Sequence, residues 1–285
     1  MKWVVVGAAG MLGQDVVERL RGAYPDVATF DRQALKITSP QECAEAIEGA
    51  DVVVNCAAYT KVDDAETNEG EAFAANALGP ATLARAAADA DVRLVQVSTD
   101  YVFDGDASSP YEADAPRAPR GAYGRTKAAG EWAVAASGGD HLVVRTAWLY
   151  GAHGACFPKT IARVARERGG LQVVDDQRGQ PTWTVDVADL VVRLVEAGVP
   201  RGIYHATSSG DTTWFGFARE IVAAAGMDPA IVAPTTSDKY VRPAPRPAYS
   251  VLGHRTLVDA GVEPIGEWQS RWTAAAAVVL GEGES

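Results

Sequence analysis

Tyr123-Gly-Arg-Thr-Lys127 places a phenol and an ammonium four residues apart in helix-forming sequence. On a helix that spacing puts both side chains on one face. A phenol with an ordinary pKa of about 10 is a poor acid at neutral pH unless a nearby cation stabilises its phenolate. Lys127 is such a cation. Alone, this pair is what any helix surface carries. A third group gives it meaning: Ser98-Thr99-Asp100-Tyr101 closes an apolar run with strand character, where the Thr99 hydroxyl could meet a carbonyl oxygen. A lone threonine there would only cap a backbone group. Thr99, Tyr123 and Lys127 together make a hydroxyl–phenol–ammonium set suited to proton transfer during carbonyl reduction.

Such a reduction needs a hydride source, and the first residues supply a place for one. Gly7-Ala8-Ala9-Gly10-Met11-Leu12-Gly13 follows one apolar run and opens a helical one. Glycines at this spacing let the backbone turn tightly and approach a pyrophosphate, while the helix N-terminus offers N–H donors. Gly7, Gly10, Met11, Leu12 and Gly13 are therefore candidate cofactor contacts. Asp31 ends the next strand, where an acidic side chain accepts from ribose hydroxyls. Arg32 beside it could pair with a 2′-phosphate. NADPH and NADH both stay open.

These groups must be positioned by a sheet. Strand-like runs at 2–6, 27–30, 51–55, 93–97 and 141–145 alternate with helical stretches at 11–21, 40–48, 66–89 and 123–136. That rhythm predicts an α/β fold of Rossmann type, a doubly wound parallel sheet. Ser39-Pro40-Gln41-Glu42 reads as a capping box with proline at the first helical position. After residue 151 the rhythm loosens. Helices are expected at 157–168, 185–196, 213–225 and 266–280, short strands near 172–174 and 202–206, and a proline-rich loop at 241–247. The expected division is a nucleotide-binding domain over 1–150 and a smaller, mixed substrate-binding lobe over 151–285. The chain would return to the first near 180–200 and 250–262.

Composition bounds the rest. The 285 residues are 47% hydrophobic and 22% charged, enough for a sizeable core without staples. A net charge of −11 disfavours nucleic acid and anionic membranes as partners. No apolar run reaches the roughly 18–20 residues of a membrane helix, and the opening MKWVVVGAAG is too short and glycine-broken for a signal peptide. Cys43, Cys56 and Cys156 fit neither a disulfide framework nor a zinc site, which suggests a reducing cytoplasm. The four histidines are scattered, so no metal is expected. There is no internal repeat, and low complexity is confined to residues 281–285.

At a finer grain the chain resembles the dTDP-4-dehydrorhamnose reductases, in the extended branch of the short-chain dehydrogenase/reductase superfamily. The strings that carry this are GAAGMLG, VNCAAYTKVDDAE (54–66), STDYVFDG (98–105), YGRTKAAGE (123–131), RTAWLYG (145–151), DDQRGQPT (175–182), GIYHATSSGDTTW (202–214) and RPAYSVL (246–252). They span nearly the whole sequence in order. The resemblance implies NAD(P)H-dependent reduction of the C4 ketone of a dTDP-4-dehydro-6-deoxy-L-hexose, giving dTDP-L-rhamnose. It implies that Ala57, Ala58, Tyr59 and Ser98 lie along the cofactor, with Tyr123 and Lys127. It places Val102, Trp148 and Thr182 at the sugar, with Thr99. Trp148 could instead be core. Arg246 would meet the diphosphate or satisfy loop carbonyls. The oligomeric state is open, a homodimer among the options.

Some residues depart from the pattern. Lys36 stands where relatives often carry aspartate near the adenine, Cys56 replaces an alanine, and Trp183 is bulky enough to narrow the sugar site. Alternatives on the same scaffold are a ketoreductase for another dTDP-deoxysugar, a sugar-nucleotide epimerase or dehydratase, and a non-catalytic regulatory subunit. The absence of an Asp-Glu pair after Thr99 disfavours a dehydratase. The intact Thr99, Tyr123 and Lys127 disfavour a silent subunit.

Overall fold

The computed structural model describes residues 1–281; residues 282–285, the end of the low-complexity tail, lie outside the described residues. The first half runs β1 (Trp3–Val6), α1 (Met11–Arg21), β2 (Val27–Phe30), α2 (Pro40–Ala46), β3 (Val52–Asn55), α3 (Glu69–Phe73), α4 (Gly79–Asp89), β4 (Arg93–Thr99), α5 (Ala122–Ala136) and β5 (His141–Thr146). Then follow β6 (Leu149–Tyr150), α6 (Phe157–Arg168), β7 (Leu171–Val174), β8 (Arg178–Gly179), β9 (Thr182–Trp183), α7 (Thr184–Glu196) and β10 (Gly202–His205). The chain ends with β11 (Ser208–Ser209), β12 (Thr212–Thr213), α8 (Trp214–Ala224), β13 (Val232–Thr235), α9 (Arg255–Asp259), β14 (Ile265–Glu267) and α10 (Trp268–Leu280).

A six-stranded sheet in the order β10-β5-β4-β3-β1-β2 forms the centre, every neighbouring pair parallel. Its strands are apolar on both faces because helices cover both. Alternation sorts the side chains of β1: Trp3 and Val5 join one core with Val16, Leu20, Leu190 and Val191, while Val4 and Val6 join another with Cys43, Ile47, Leu83 and Val134. Helices α1 and α7 therefore cover one face, and α2, α4 and α5 the other. The fold is of Rossmann type. β10 is one of its two edge strands, so the chain returns to the sheet after its excursion through β6–β9. A second core gathers Tyr150, Ile161, Phe217, Trp268 and Trp272 from the C-terminal half.

The expected 66–89 helix runs from Glu69 to Asp89 but changes its hydrogen-bond pattern midway. A π-helical turn over Ala74–Leu78 separates α3 from α4, and Pro80 stands at the start of α4. Proline cannot donate to a carbonyl one turn back and clashes with it, so the preceding turn widens. Half of the capping box forms: Ser39 Oγ accepts from Glu42 N, but the Glu42 carboxylate takes the Lys36 N–H instead of that of Ser39.

Candidate active site

The strand order reverses direction between β1 and β3, the position where open α/β sheets bind ligands. The glycine turn leaves β1 at that point. Gly7 has φ +79°, and a Cβ there would lie 2.5 Å from Ala57 N, so only glycine lets the two loops pass. A Cβ on Gly13 would sit 2.2 Å from Gly7 O, which seats α1 directly on the turn. Gly10 caps α1 without a side-chain hydrogen bond, leaving the helix its first N–H groups for a ligand. A bare cradle of this kind fits a dinucleotide pyrophosphate.

The other expected cofactor residues fall partly around it. Asp31 Oδ1 accepts from the backbone of Gln33 and Ala34, and its side chain joins Ala8, Ala9, Gln14 and His153 around a cleft of about 780 Å³. Arg32 and Lys36 are exposed beside it. Residues 57–59 are half-buried and tied down, Tyr59 N and O both held by the Asn76 side chain. Met11 is half-buried at the start of α1, whereas Leu12 points into the core. Asn76 sits in the π-helical turn and also donates to Thr126, fixing that loop to α5. No local sequence pattern marks it. His153 lies 3.5 Å from Asp15, with Glu18 nearby, a meeting that scattered histidines did not suggest.

Thr99 ends β4, and Tyr123 and Lys127 rise from α5 beside it. The Tyr101 ring meets the Tyr123 ring edge-on, with centroids 5.6 Å apart. Burial pushes the Tyr123 phenol up to about 12, the Asp100 charge adds to this, and the Thr99 hydroxyl opposes it. Lys127 donates to Val97 O at 2.7 Å. Burial brings its ammonium down to about 8, with Glu131 and Cys56 resisting. Lys127 shares α5 with Tyr123, and its ammonium is held on Val97 O of β4.

Ser98 is adjacent to Thr99, yet strand alternation turns it elsewhere. Its hydroxyl donates to Glu131, which also receives Arg117 and lies bidentate on Arg145. Burial would raise Glu131, but these partners outweigh it and hold the carboxylate below its ordinary value. The Ser98 proton is thereby committed to Glu131.

A second cleft of about 650 Å³ is lined by Tyr101, Trp214, Arg168, Arg242 and Arg246. Tyr101 joins it to Tyr123. Arg246 lines the cleft, pairs with Asp63 at 2.9 Å and donates to the loop carbonyl of Ala244. Trp148 is not core. It adopts φ +45°, rare for a bulky residue, and lies flat on Trp214 with centroids 3.5 Å apart. Val102 and Thr182 are fully buried. Val102 packs on Phe103, Ala128 and Leu252, and the Thr182 hydroxyl is spent on Gln180 O and Ser208 N. The structure does not bring either side chain to the cleft. Trp183 packs in the second core beneath Arg271. Trp214 and Arg242, which sequence reasoning missed, take their place; only folding sets them across from β5.

Comparison with known proteins agrees with this geometry. Residues 1–280 match the family described as RmlD substrate binding domain. A probable dTDP-4,6-dihydroxy-2-methyloxan-3-one 4-ketoreductase of Streptomyces antibioticus is 46% identical over 273 residues, covering 95% of this chain and 92% of that protein. A dTDP-4-dehydrorhamnose reductase of Mycobacterium tuberculosis is 43% identical over 279 residues, covering 96% of this chain and 92% of that protein. The crystal structure of a dTDP-4-dehydrorhamnose reductase from Bacillus anthracis in complex with NADP superposes with a TM-score of 0.92 at 35% identity, covering 96% of this chain and 99% of that one.

Proposed function

The chain belongs to the dTDP-4-dehydrorhamnose reductase family, and on that premise we propose that Thr99, Tyr123 and Lys127 are the machinery of its ketone reduction. It is an NAD(P)H-dependent oxidoreductase acting on a dTDP-4-keto sugar, with NADPH as cofactor. The substrate in this reading is dTDP-4-dehydro-L-rhamnose and the product dTDP-L-rhamnose. The observation that carries it is the convergence of Tyr123 and Thr99 at the mouth of β4, between the glycine cradle and an arginine-lined cleft.

When bound, the reduced nicotinamide supplies the hydride. Tyr123 gives its proton to the oxygen that becomes the C4 hydroxyl. Lys127, anchored on Val97 O, would offer its ammonium to the nicotinamide ribose. The free N–H groups at the start of α1 would hold the pyrophosphate, and Asp31 would accept from the ribose. Arg246 and Arg242 offer donors to the sugar-nucleotide diphosphate, offsetting locally the −11 of the whole chain. Trp148, held by Trp214, provides an apolar wall for the hexose.

Three free cysteines suit a reducing cytoplasm, and no helix among the described residues is long and apolar enough to cross a membrane. Division into a nucleotide-binding part and a sugar-binding lobe, and assembly as a homodimer, belong to the same proposal. Light scattering tests the last: the mass of a single chain removes it.

Supplying dTDP-4-dehydro-L-rhamnose with NADPH, then NADH, and identifying the sugar tests the rest. Oxidation of the cofactor with formation of dTDP-L-rhamnose is the expected result; no oxidation, or the C4 epimer, overturns it. One observation favours a second reading, another dTDP-hexulose: the Streptomyces antibioticus relative is named for a different ketone. Turnover of that ketone but not of the rhamnose precursor selects it.

A further inference from the structure

The strap Pro243-Ala244-Pro245-Arg246-Pro247 alternates proline with other residues, so only Ala244 and Arg246 carry a backbone N–H. Such a segment builds neither a helix nor a ladder of its own and has to be held from outside. One end is wedged: Gly105, at φ +80°, leaves the space for Pro247 that a Cβ would fill. The other end is tied to Asp63, 181 positions before Ala244 in the chain.

Asp63 stands directly before the short 3-10 turn Asp64–Glu66, where an aspartate ordinarily caps its own turn. Its side chain makes no such cap. Instead Oδ1 accepts from Ala244 N at 3.3 Å and pairs with Arg246 Nη2 at 2.9 Å. Ala244 closes the ring, since its carbonyl accepts from Arg246 Nη1 at 3.3 Å. One carboxylate oxygen therefore fixes both the strap and the guanidinium that it carries. A guanidinium has five N–H groups, so others remain for the cleft that Arg246 lines. Asp63 itself belongs to the loop that passes the glycine turn at Ala57 and is clamped at Tyr59 by Asn76. Three residues on, Glu66 accepts from Ala122 N at the start of α5, with Pro245 alongside.

We propose that Asp63 is a positioning residue for Arg246: it orders the strap and its guanidinium before the sugar nucleotide arrives, so that the diphosphate meets a preformed donor. The inference deepens the proposed function and rests on its reading of Arg246 as a diphosphate contact. Two effects of the carboxylate oppose each other. Its charge lowers the local positive potential, but the two side chains are 28% and 23% exposed, and solvent and salt screen that loss. Order works in favour of binding. Immobilising a rotamer-rich side chain costs about three- to tenfold in affinity, and an arginine already held in place avoids that cost.

Calorimetric titration with dTDP, and with thymidine, which lacks the diphosphate, tests this without cofactor or turnover. In Asp63→Ala the affinity for dTDP is expected to fall about three- to tenfold while that for thymidine is unchanged. In an Arg246→Ala background the same change should cost dTDP nothing further, because Asp63 acts through the arginine. Asp63→Asn keeps an oxygen for Ala244 N and should lose less; it replaces the alanine form in the cycle if that form does not fold. Unchanged or tighter dTDP binding in Asp63→Ala overturns the proposal, as does an equal loss in the Arg246→Ala background. A matching loss of thymidine also overturns it, since the whole cleft would then be disturbed. Weakening by Arg246→Ala but not by Asp63→Ala removes the role of Asp63 and upholds the diphosphate contact. Full dTDP affinity in Arg246→Ala removes both.

Discussion

Arg145 grips Glu131 bidentately, Nε to Oε1 at 2.9 Å and Nη2 to Oε2 at 2.8 Å, with both side chains sealed from solvent. The pair ties β5 to α5, the helix that carries Tyr123 and Lys127. Through Ser98 it also holds the end of β4. Its cost in desolvation is repaid only while both charges are present. Arg145→Met should lower stability by about 3–5 kcal/mol, measured by chemical denaturation, because Glu131 then stays buried with its main partner gone. Adding Glu131→Gln should recover part of that loss.

His205 makes the same network sensitive to acid. Its Nδ1 lies 2.7 Å from Gly253 O and so carries the proton, while Nε2 accepts from Arg145. Burial first, then the Arg145 charge, bring it down to about 3 from an ordinary 6.5. Between those values the unfolded chain binds a proton that the folded protein refuses. Stability is therefore complete above about pH 6.5 and falls as pH drops, by up to about 1.4 kcal/mol per pH unit. Asp100 works with the opposite sign between 3.8 and about 6, since its folded form holds the proton more tightly. The difference between His205→Gln and the unaltered chain isolates the histidine: its denaturation midpoint should depend less steeply on pH below 6.5.

Gly7→Ala should abolish nucleotide binding while costing stability. The substitution puts an L side chain at φ +79° and a methyl 2.5 Å from Ala57 N. Left-handed backbone alone costs about 1–2 kcal/mol. Gly49→Ala is the control: φ is +64° there too, but the methyl meets only Lys2 Nζ at 3.6 Å. A comparable drop in melting temperature with unchanged NADPH binding is expected of the control alone, measured by calorimetry.

Trp214→Ala removes the ring stacked on Trp148. A stacked aromatic pair contributes about 0.5–1.5 kcal/mol beyond its area. Without it, Trp148 loses the partner that offsets its left-handed backbone. KM for the sugar nucleotide should rise by up to about tenfold while kcat changes little. A fall in kcat with KM unchanged would place Trp214 outside the sugar wall. Initial rates over a range of substrate concentration give the answer.

Much of this was readable from spacing alone. The alternation of apolar strands with helices fixed a parallel sheet, because parallel strands need crossovers and buried faces need continuous apolar runs. The Gly7–Gly13 turn and the Tyr123–Lys127 spacing are contained within single elements, so local sequence settles their geometry. Even the π-helical turn at Ala74–Leu78 had a signal in Pro80, whose missing N–H removes one regular α-helical hydrogen bond from the helix expected over 66–89.

Partnership is a different matter, since it is decided between elements far apart in sequence. Ser98 and Thr99 look equivalent in the string, yet one hydroxyl is spent on Glu131 and the other on Asp100. Val102 and Thr182 sit within motif strings and end in the core, while Trp214 and Arg242 reach the cleft. The anchor of Lys127 was also a tertiary result: it is four residues from Tyr123 on the helix, and its ammonium is tied to Val97 O of β4. Sequence determined which chemistry the chain could perform. Packing decided which of its polar groups remain free to perform it, because each buried donor or acceptor must find a partner, and only the folded chain determines which one.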